Sequence, residues 1–351
     1  MVMPANAGGR PACFLRAAFA RDDGFEQVKA LQIQAISADL SGAALVDTPW
    51  PVPSPGEALV RVRAASLNFP DLLMTRGEYQ LKPPLPFVPG MDLAGEIVSA
   101  PADSGLTIGA RVMGGVRLGA MAEYACVPVN ALRAIPAGID DPAAAAFGAA
   151  YSTAYTALVE IGGLTAGQWV LVHGASGGVG LAAVDLALAL GARVIATSGS
   201  ADKCAALGAL FPEAHTVLAQ GRFREQVAAL TGGALCDLVY DPVGGDVFDE
   251  STRCVAFGGK LLVIGFTSGR IADISTNIPL IKGFAVVGVR AGEYARRFPE
   301  RGLACRDAVH VLLAEGKIKP HIDRVLPLAQ WRGGFSAMAE RKLVGKVVFA
   351  P

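Results

Sequence analysis

The sequence predicts an α/β protein of two units, a doubly wound parallel sheet and a small, mostly β barrel whose two parts flank it. Three observations predict this. Residues 169–190 run as apolar strand, glycine turn and helix; apolar strands then recur as far as residue 289; and short strands cut by Gly and Pro lie on both sides of that block. Strand and helix in alternation make a parallel sheet, whereas closely spaced short strands make a barrel.

The first stretch reads WVLVHGASGGVGLAAVDLALAL. Trp169–Val172 is apolar, glycines 174, 177, 178 and 180 interrupt it, and an Ala- and Leu-rich helical pattern follows. Glycines let backbone N–H groups approach a diphosphate at the positive end of the next helix. A second strand over 192–197 follows the Leu190-Gly191 stop, completing strand, helix and strand in about 30 residues. In that context the turn is a dinucleotide cradle formed by Gly174, Ala175, Ser176, Gly177, Gly178, Val179 and Gly180. Its spacing departs from GxGxxG, because Ala175 holds the first position while Gly177 and Gly180 fit the others.

From residue 29 the pattern is strands and turns: ALQIQAI, the Pro- and Gly-rich TPWPVPSPGE, then ALVRVRAASL, which alternates as a half-buried strand should. GEIVSA, ARVMGGV, AEYACVP and ALRAIP complete this part of the barrel. Within it, residues 68–92 hold five prolines and no long period, the kind of loop on a rigid barrel that carries substrate contacts. Residues 141–162 are helical in composition, with Asp141 as N-cap, Pro142 in the first turn and Gly162 as stop. Beyond the first two strands of the parallel sheet, three more are expected at 237–240, 260–264 and 285–289. The loops holding Asp241 and Gly265-Phe266-Thr267 follow two of these strands and should overlie the edge where such sheets bind ligands. A helix over 301–315 ends at Gly316, and HIDRVLPL, a short helix and KVVFA return to the barrel. The expected division is an arm over 1–28, a barrel domain over 29–152 and 292–351, and a dinucleotide domain over 153–291.

The 351 residues carry 31 Lys and Arg against 31 Asp and Glu, with no long basic run, so neither nucleic acid nor an anionic membrane is the expected partner. A small molecule is. No uninterrupted apolar stretch reaches the ~18 residues of a membrane span. Six cysteines (13, 126, 204, 236, 254 and 305) form no CxxC, which points to reduced thiols in a cytoplasm.

Several motifs resemble one family. Asn68-Phe69-Pro70-Asp71, Arg76-Gly77-x-Tyr79, Pro86-Phe87-Val88-Pro89-Gly90-Met91-Asp92-x-Ala94-Gly95, the glycine turn, Tyr240-Asp241-Pro242-Val243-Gly244-Gly245 and Arg341-Lys342-x-x-Gly345-Lys346-Val347 occur in its order. The chain resembles the zinc-independent NADPH:quinone oxidoreductases, related to ζ-crystallin, of the medium-chain dehydrogenase/reductase superfamily. The resemblance implies a GroES-like barrel domain, a Rossmann domain and a homodimer joined through the Rossmann sheet edge. It also carries over Tyr155 beside the nicotinamide and Lys342 as a cofactor contact. Asp185 and Leu188 depart from the quinone signature; enoyl and enone reductases share the scaffold.

Related alcohol dehydrogenases hold a catalytic zinc with Cys and a Gly-His-Glu segment. Here that segment is Gly90-Met91-Asp92, and no Cys lies between Cys13 and Cys126, so neither a catalytic nor a four-cysteine zinc is expected. Without a metal, hydride addition to a quinone or a conjugated carbonyl is the easier reaction, because charge spreads onto oxygens that a hydrogen-bond donor can meet. Asn68 and Tyr79 are the candidates for touching that acceptor; equally, Asn68 can cap a turn and Tyr79 can pack in the barrel mouth. At the end of the second strand Thr197-Ser198 replaces the acid of an NAD site; Ser198 and Lys203 favour a 2′-phosphate, hence NADPH. Asp202 should point away. His173 reads as a satisfied core histidine. Arg290, Arg296, Arg297 and Arg301 form either a solvated face or a site for the phosphates of an acyl thioester. The competing expectations are a quinone reductase, an enoyl or enone reductase, and an NADPH-binding protein with little turnover.

Overall fold

The computed structural model describes residues 27–351. Nearly all of the expected arm, and Cys13 with it, lies outside the described residues.

Fifteen strands are described. β1 (Gln27–Ile33) and β2 (Ala43–Pro49) form an antiparallel pair. β3 (Glu57–Ser66), β4 (Asp92–Ser99), β5 (Arg111–Gly115), β6 (Tyr124–Pro128) and β7 (Leu132–Ala134) follow. With β14 (Ile322–Pro327) and β15 (Lys346–Ala350), these five make a seven-stranded sheet in which β15 pairs with β3. The chain therefore returns to its first sheet after everything between residues 169 and 288. Inside the loop of residues 68–92 the chain forms a short helix, α1 (Phe69–Thr75), which the absence of a long period had hidden.

The second sheet holds β8 (Trp169–Val172), β9 (Arg193–Ser198), β10 (His215–Leu218), β11 (Cys236–Asp241), β12 (Val255–Val263) and β13 (Ala285–Gly288). All pairings are parallel and the order is β10-β9-β8-β11-β12-β13. The order reverses between β8 and β11, which opens a crevice above β8. The sequence reading expected five strands and missed β10, which offers only four residues, two of them exposed. Burial alternates across the sheet: Val170, Val172, Val194, Ala196, Leu238 and Tyr240 face one core, while Leu171, Ile195 and Val239 face another. Both faces are dry, which is why these strands read as unbroken apolar runs.

α2 (Asp141–Tyr155) crosses between the sheets. Its N-cap is Asp140, whose carboxylate accepts from Ala143 N at 2.8 Å, and not Asp141, which sits in the first turn and pairs with Arg111 at 2.5 Å. Adjacent aspartates make either residue a plausible cap, and only the backbone position decides. The helix continues as one π-type turn, Thr156–Ile161, and stops at Gly162 as expected. Asp185 lies on α3 (Gly178–Ala189). It accepts from the Tyr151 hydroxyl at 2.5 Å and from Lys319 N at 2.7 Å, tying α3 to α2 and to the segment leading back into the barrel. That gives the departure at this position a structural role.

Candidate active site

A cleft of about 2290 Å³ runs between the barrel loop around α1 and the carboxyl ends of β8, β9, β11 and β12. Ordinary small-ligand pockets hold ~300–1,000 Å³, so there is room here for a dinucleotide and a second molecule.

Its floor is the glycine turn. Gly174 adopts φ +54°, which a side chain would strain. A Cβ on Gly180 would stand 2.2 Å from Gly174 O, so the helix can approach the turn this closely only without one. Ala175 and Ser176 are buried, and Ala175 N donates to Thr197 O at 2.9 Å. Gly174, Gly177, Gly178 and Val179 line the cleft, while Ala175, Ser176 and Gly180 shape the turn from behind. Gly177 caps α3 without any side-chain hydrogen bond. Among the described residues the first N–H groups of the helix therefore have no protein acceptor, and they sit at the positive end of its dipole, which fits a diphosphate.

Thr197, Ser198 and Lys203 line the cleft beyond the turn, where no acid stands at the end of β9. Exposed Asp202 is not part of the lining. Lys203 Nζ donates to Arg341 O at 2.5 Å, and a guanidinium nitrogen of Arg341 donates to Thr267 O at 2.6 Å. Arg341 is a cleft residue that the sequence reading passed over in favour of its neighbour. Lys342 stays outside, in an exposed pair with Glu340. The reversal has a local cause, since Arg341 adopts φ +55° and turns its own side chain inward. Gly265, Phe266 and Thr267 also line the cleft. Asp241 does not: its carboxylate accepts from Val243 N and Gly244 N at 2.8 and 3.0 Å and shapes the adjoining loop, with burial pushing its pKa up.

Tyr155 likewise stands off the cleft and packs on the core; Ser152, Thr153 and Thr156 present the facing side of the helix instead. His173 is buried between Thr197 Oγ1 at 2.7 Å and Ser251 Oγ at 2.6 Å, and burial pushes its pKa down to about 3. It is a neutral, satisfied core residue. Arg296 and Arg297 both pair with Glu293, and Arg301 pairs with Glu160 over the Tyr294 ring. Three of the four arginines considered for thioester phosphates are thus already matched.

At the barrel end, Asn68 and Tyr79 both line the cleft. Tyr79 also packs partly on the barrel core, so both expectations for it describe one position. Asn68 caps α1, and Asp71 accepts from Asn68 N and Gly90 N, each at 2.9 Å. Burial pushes Asp71 up to about 7, against those two N–H groups and the Lys346 charge. Asp92 and Lys346 complete a buried cluster around Asn68 that residue types alone did not reveal. Among the described residues, no group of three or more His, Cys, Asp or Glu side chains is placed to hold a metal. Nor is any described helix long and apolar enough to cross a membrane.

A profile described as the alcohol dehydrogenase GroES-like domain matches residues 54–137, and one described as zinc-binding dehydrogenase matches 178–305. The quinone oxidoreductase-like protein 2 of Bos taurus is 34% identical over 321 residues, covering 90% of this chain and 91% of its own. The chain belongs to the zinc-independent quinone oxidoreductase family of the medium-chain dehydrogenase/reductases. As a member of that family it is an oxidoreductase built from a GroES-like domain and a Rossmann domain, with a nicotinamide dinucleotide as cofactor. A probable oxidoreductase from Mycobacterium abscessus superposes with a TM-score of 0.85 at 34% identity, covering 93% of this chain and 99% of its own. A mycobacterial protein complexed with NADPH superposes at 0.84 with 28% identity, covering 92% of this chain and 100% of its own.

Proposed function

We propose that this family member is an NADPH-dependent quinone reductase that passes hydride from the nicotinamide to a quinone without zinc. One observation carries the reading: an uncapped helix start and a buried amide, Asn68, line the same cleft. When bound, the reduced nicotinamide supplies the hydride. The chain's own part is to hold the diphosphate on the Gly178 and Val179 N–H groups, keep water from the cleft and donate from Asn68, with Tyr79, to the acceptor oxygen as charge develops there. Preference for the 2′-phosphate is supported by Ser198, Lys203 and Arg341 lining the cleft, with no acid at the end of β9.

An enoyl or enone reductase is the second reading, favoured by the cleft residue Arg306, whose buried Nε meets no hydrogen-bond partner among the described residues. NADPH oxidation by purified protein against a benzoquinone and against α,β-unsaturated ketones and thioesters separates the two. The quinone should be the faster acceptor; a faster thioester would replace the first reading by the second. NADPH bound without turnover on any acceptor would leave a cofactor-binding protein.

We also propose a homodimer. β13 is an exposed edge strand, and Phe257, Leu280, Ile281 and Val286 around it are 89%, 80%, 75% and 37% exposed. A bare apolar edge pairs readily, and a second copy related by a two-fold axis covers it.

A further inference from the structure

Four polar side chains meet where the barrel closes on the glycine turn, and the function proposed above uses only one of them. Lys346 opens β15 directly against the turn. Gly345 N donates to Ser176 O at 2.9 Å, and a Cβ on Gly178 would stand 2.6 Å from Lys346 Cδ. The lysine stem thus crosses the start of α3 with no room to spare. Its Nζ then reaches Asn68 Oδ1 at 2.6 Å, on a lysine side chain that is itself buried. Asn68 Nδ2 donates to Asp92 Oδ2 at 2.9 Å, and Asp92 Oδ1 accepts from Ala149 N at 3.0 Å.

Each of these bonds runs in one sense only. An ammonium donates and cannot accept, so the amide oxygen must face Lys346. An ionised carboxylate accepts and cannot donate, so the amide nitrogen must face Asp92. The usual ambiguity between the two ends of an asparagine is removed by its partners. Nδ2 still carries a second hydrogen, which meets no acceptor among the described residues, and Asn68 lines the cleft. Without the ammonium, Oδ1 would lose that donor and only the bond to Asp92 would hold the amide in this sense.

We propose that Lys346 is a positioning residue: its ammonium fixes the Asn68 amide so that Nδ2, and not Oδ1, meets the oxygen of a quinone or conjugated carbonyl. This rests on the proposed role of Asn68 as donor. Lys346 also acts on the amide's other partner. Burial pushes the Asp92 pKa up and the Lys346 charge opposes that shift. The titratable groups around Lys346 are Asp71 and Asp92 on the cleft side, with Tyr151, Lys319 and His321 around a small cavity behind it and Asp185 bonded to Tyr151.

A double-mutant cycle of Lys346→Met and Asn68→Ala tests the proposal, with acceptor kinetics as readout and NADPH fluorescence reporting cofactor binding. Each single variant should lower kcat/KM for the acceptor by about 10- to 100-fold, the range for a displaced supporting group, with the NADPH Kd nearly unchanged. The double variant should be no slower than Asn68→Ala, because the lysine acts through the amide. In Lys346→Met the acid limb of the kcat/KM profile should move to higher pH, since Asp92 loses the charge that opposes its protonation; a lysine that only packs leaves that limb in place. Losses that multiply, or a fully active Lys346→Met beside an impaired Asn68→Ala, overturn the inference. A fully active Asn68→Ala overturns instead the role of Asn68 beneath it. Where Met is not tolerated, Lys346→Gln, which keeps a donor on a shorter stem, is judged by the same cycle.

Discussion

Asp71 shows how a residue's role can be legible from its type while its titration is set by environment. Its motif position suggests an anchor, and both carboxylate oxygens do accept backbone N–H groups, yet burial holds its pKa near 7. The folded value lies above the ordinary ~3.9, so its stabilising contribution is complete below about pH 4 and is lost as pH rises through about 7, at ~1.4 kcal/mol per unit. Thermal unfolding across that window should therefore show a loss that Asp71→Asn does not share. The variant should also be less stable throughout, by ~1–3 kcal/mol, because its amide NH₂ must face a backbone N–H. Lys203 and Arg341 bear on specificity: replacing either with Ala should raise KM for NADPH about 10-fold or more, the worth of a charge-assisted bond, and leave KM for NADH unchanged. Equal effects on both cofactors would remove the 2′-phosphate site. Lys203 lines the cleft on helix α4 (Ala201–Leu210), which begins soon after β9 ends at Ser198. Sequence spacing missed Arg341 because a positive φ inverts the expected facing, and nothing in the residue type announces that.

The elements were most legible where burial is two-sided or the stop signal is glycine. β8 and β15 coincide with their expected spans, and Gly162 and Gly316 end their helices as read. β10 and α1 were not legible, one for lack of apolar residues and the other for lack of length. α3 is the element on which the cofactor site depends, and Gly180 is its close contact with the glycine turn at Gly174 and Ala175. Gly180→Val should push the helix off the glycine turn and abolish NADPH binding, with a destabilisation of ~1–3 kcal/mol or more from overpacking. NADPH fluorescence titration with thermal melting of the same sample would check both. At the other end of the sheet, Leu280→Glu with Ile281→Glu charges the exposed edge. Light scattering should then find the pair of substitutions monomeric and the parent chain dimeric; a monomeric parent would dismiss the dimer.

The two large sheets are joined through α2 and an apolar cluster that both share. Ala64, Ala94, Met113 and Val348 from the barrel pack in the same apolar cluster as Val170 and Leu238 from the parallel sheet. Strand order along the chain was enough to foresee a parallel sheet set between two parts of another, because consecutive elements pack as neighbours. The buried meeting of Asn68, Asp71, Asp92 and Lys346 was not foreseeable, since it gathers residues 278 positions apart and depends on how the barrel seats on the turn. That seating is what places a diphosphate cradle and an amide donor in one cleft. A crystal grown with NADPH tests it most directly. The diphosphate should lie within hydrogen-bond distance of the Gly178 and Val179 N–H groups, with the nicotinamide ring beside Asn68; a cofactor bound elsewhere, or a ring far from Asn68, would contradict the account.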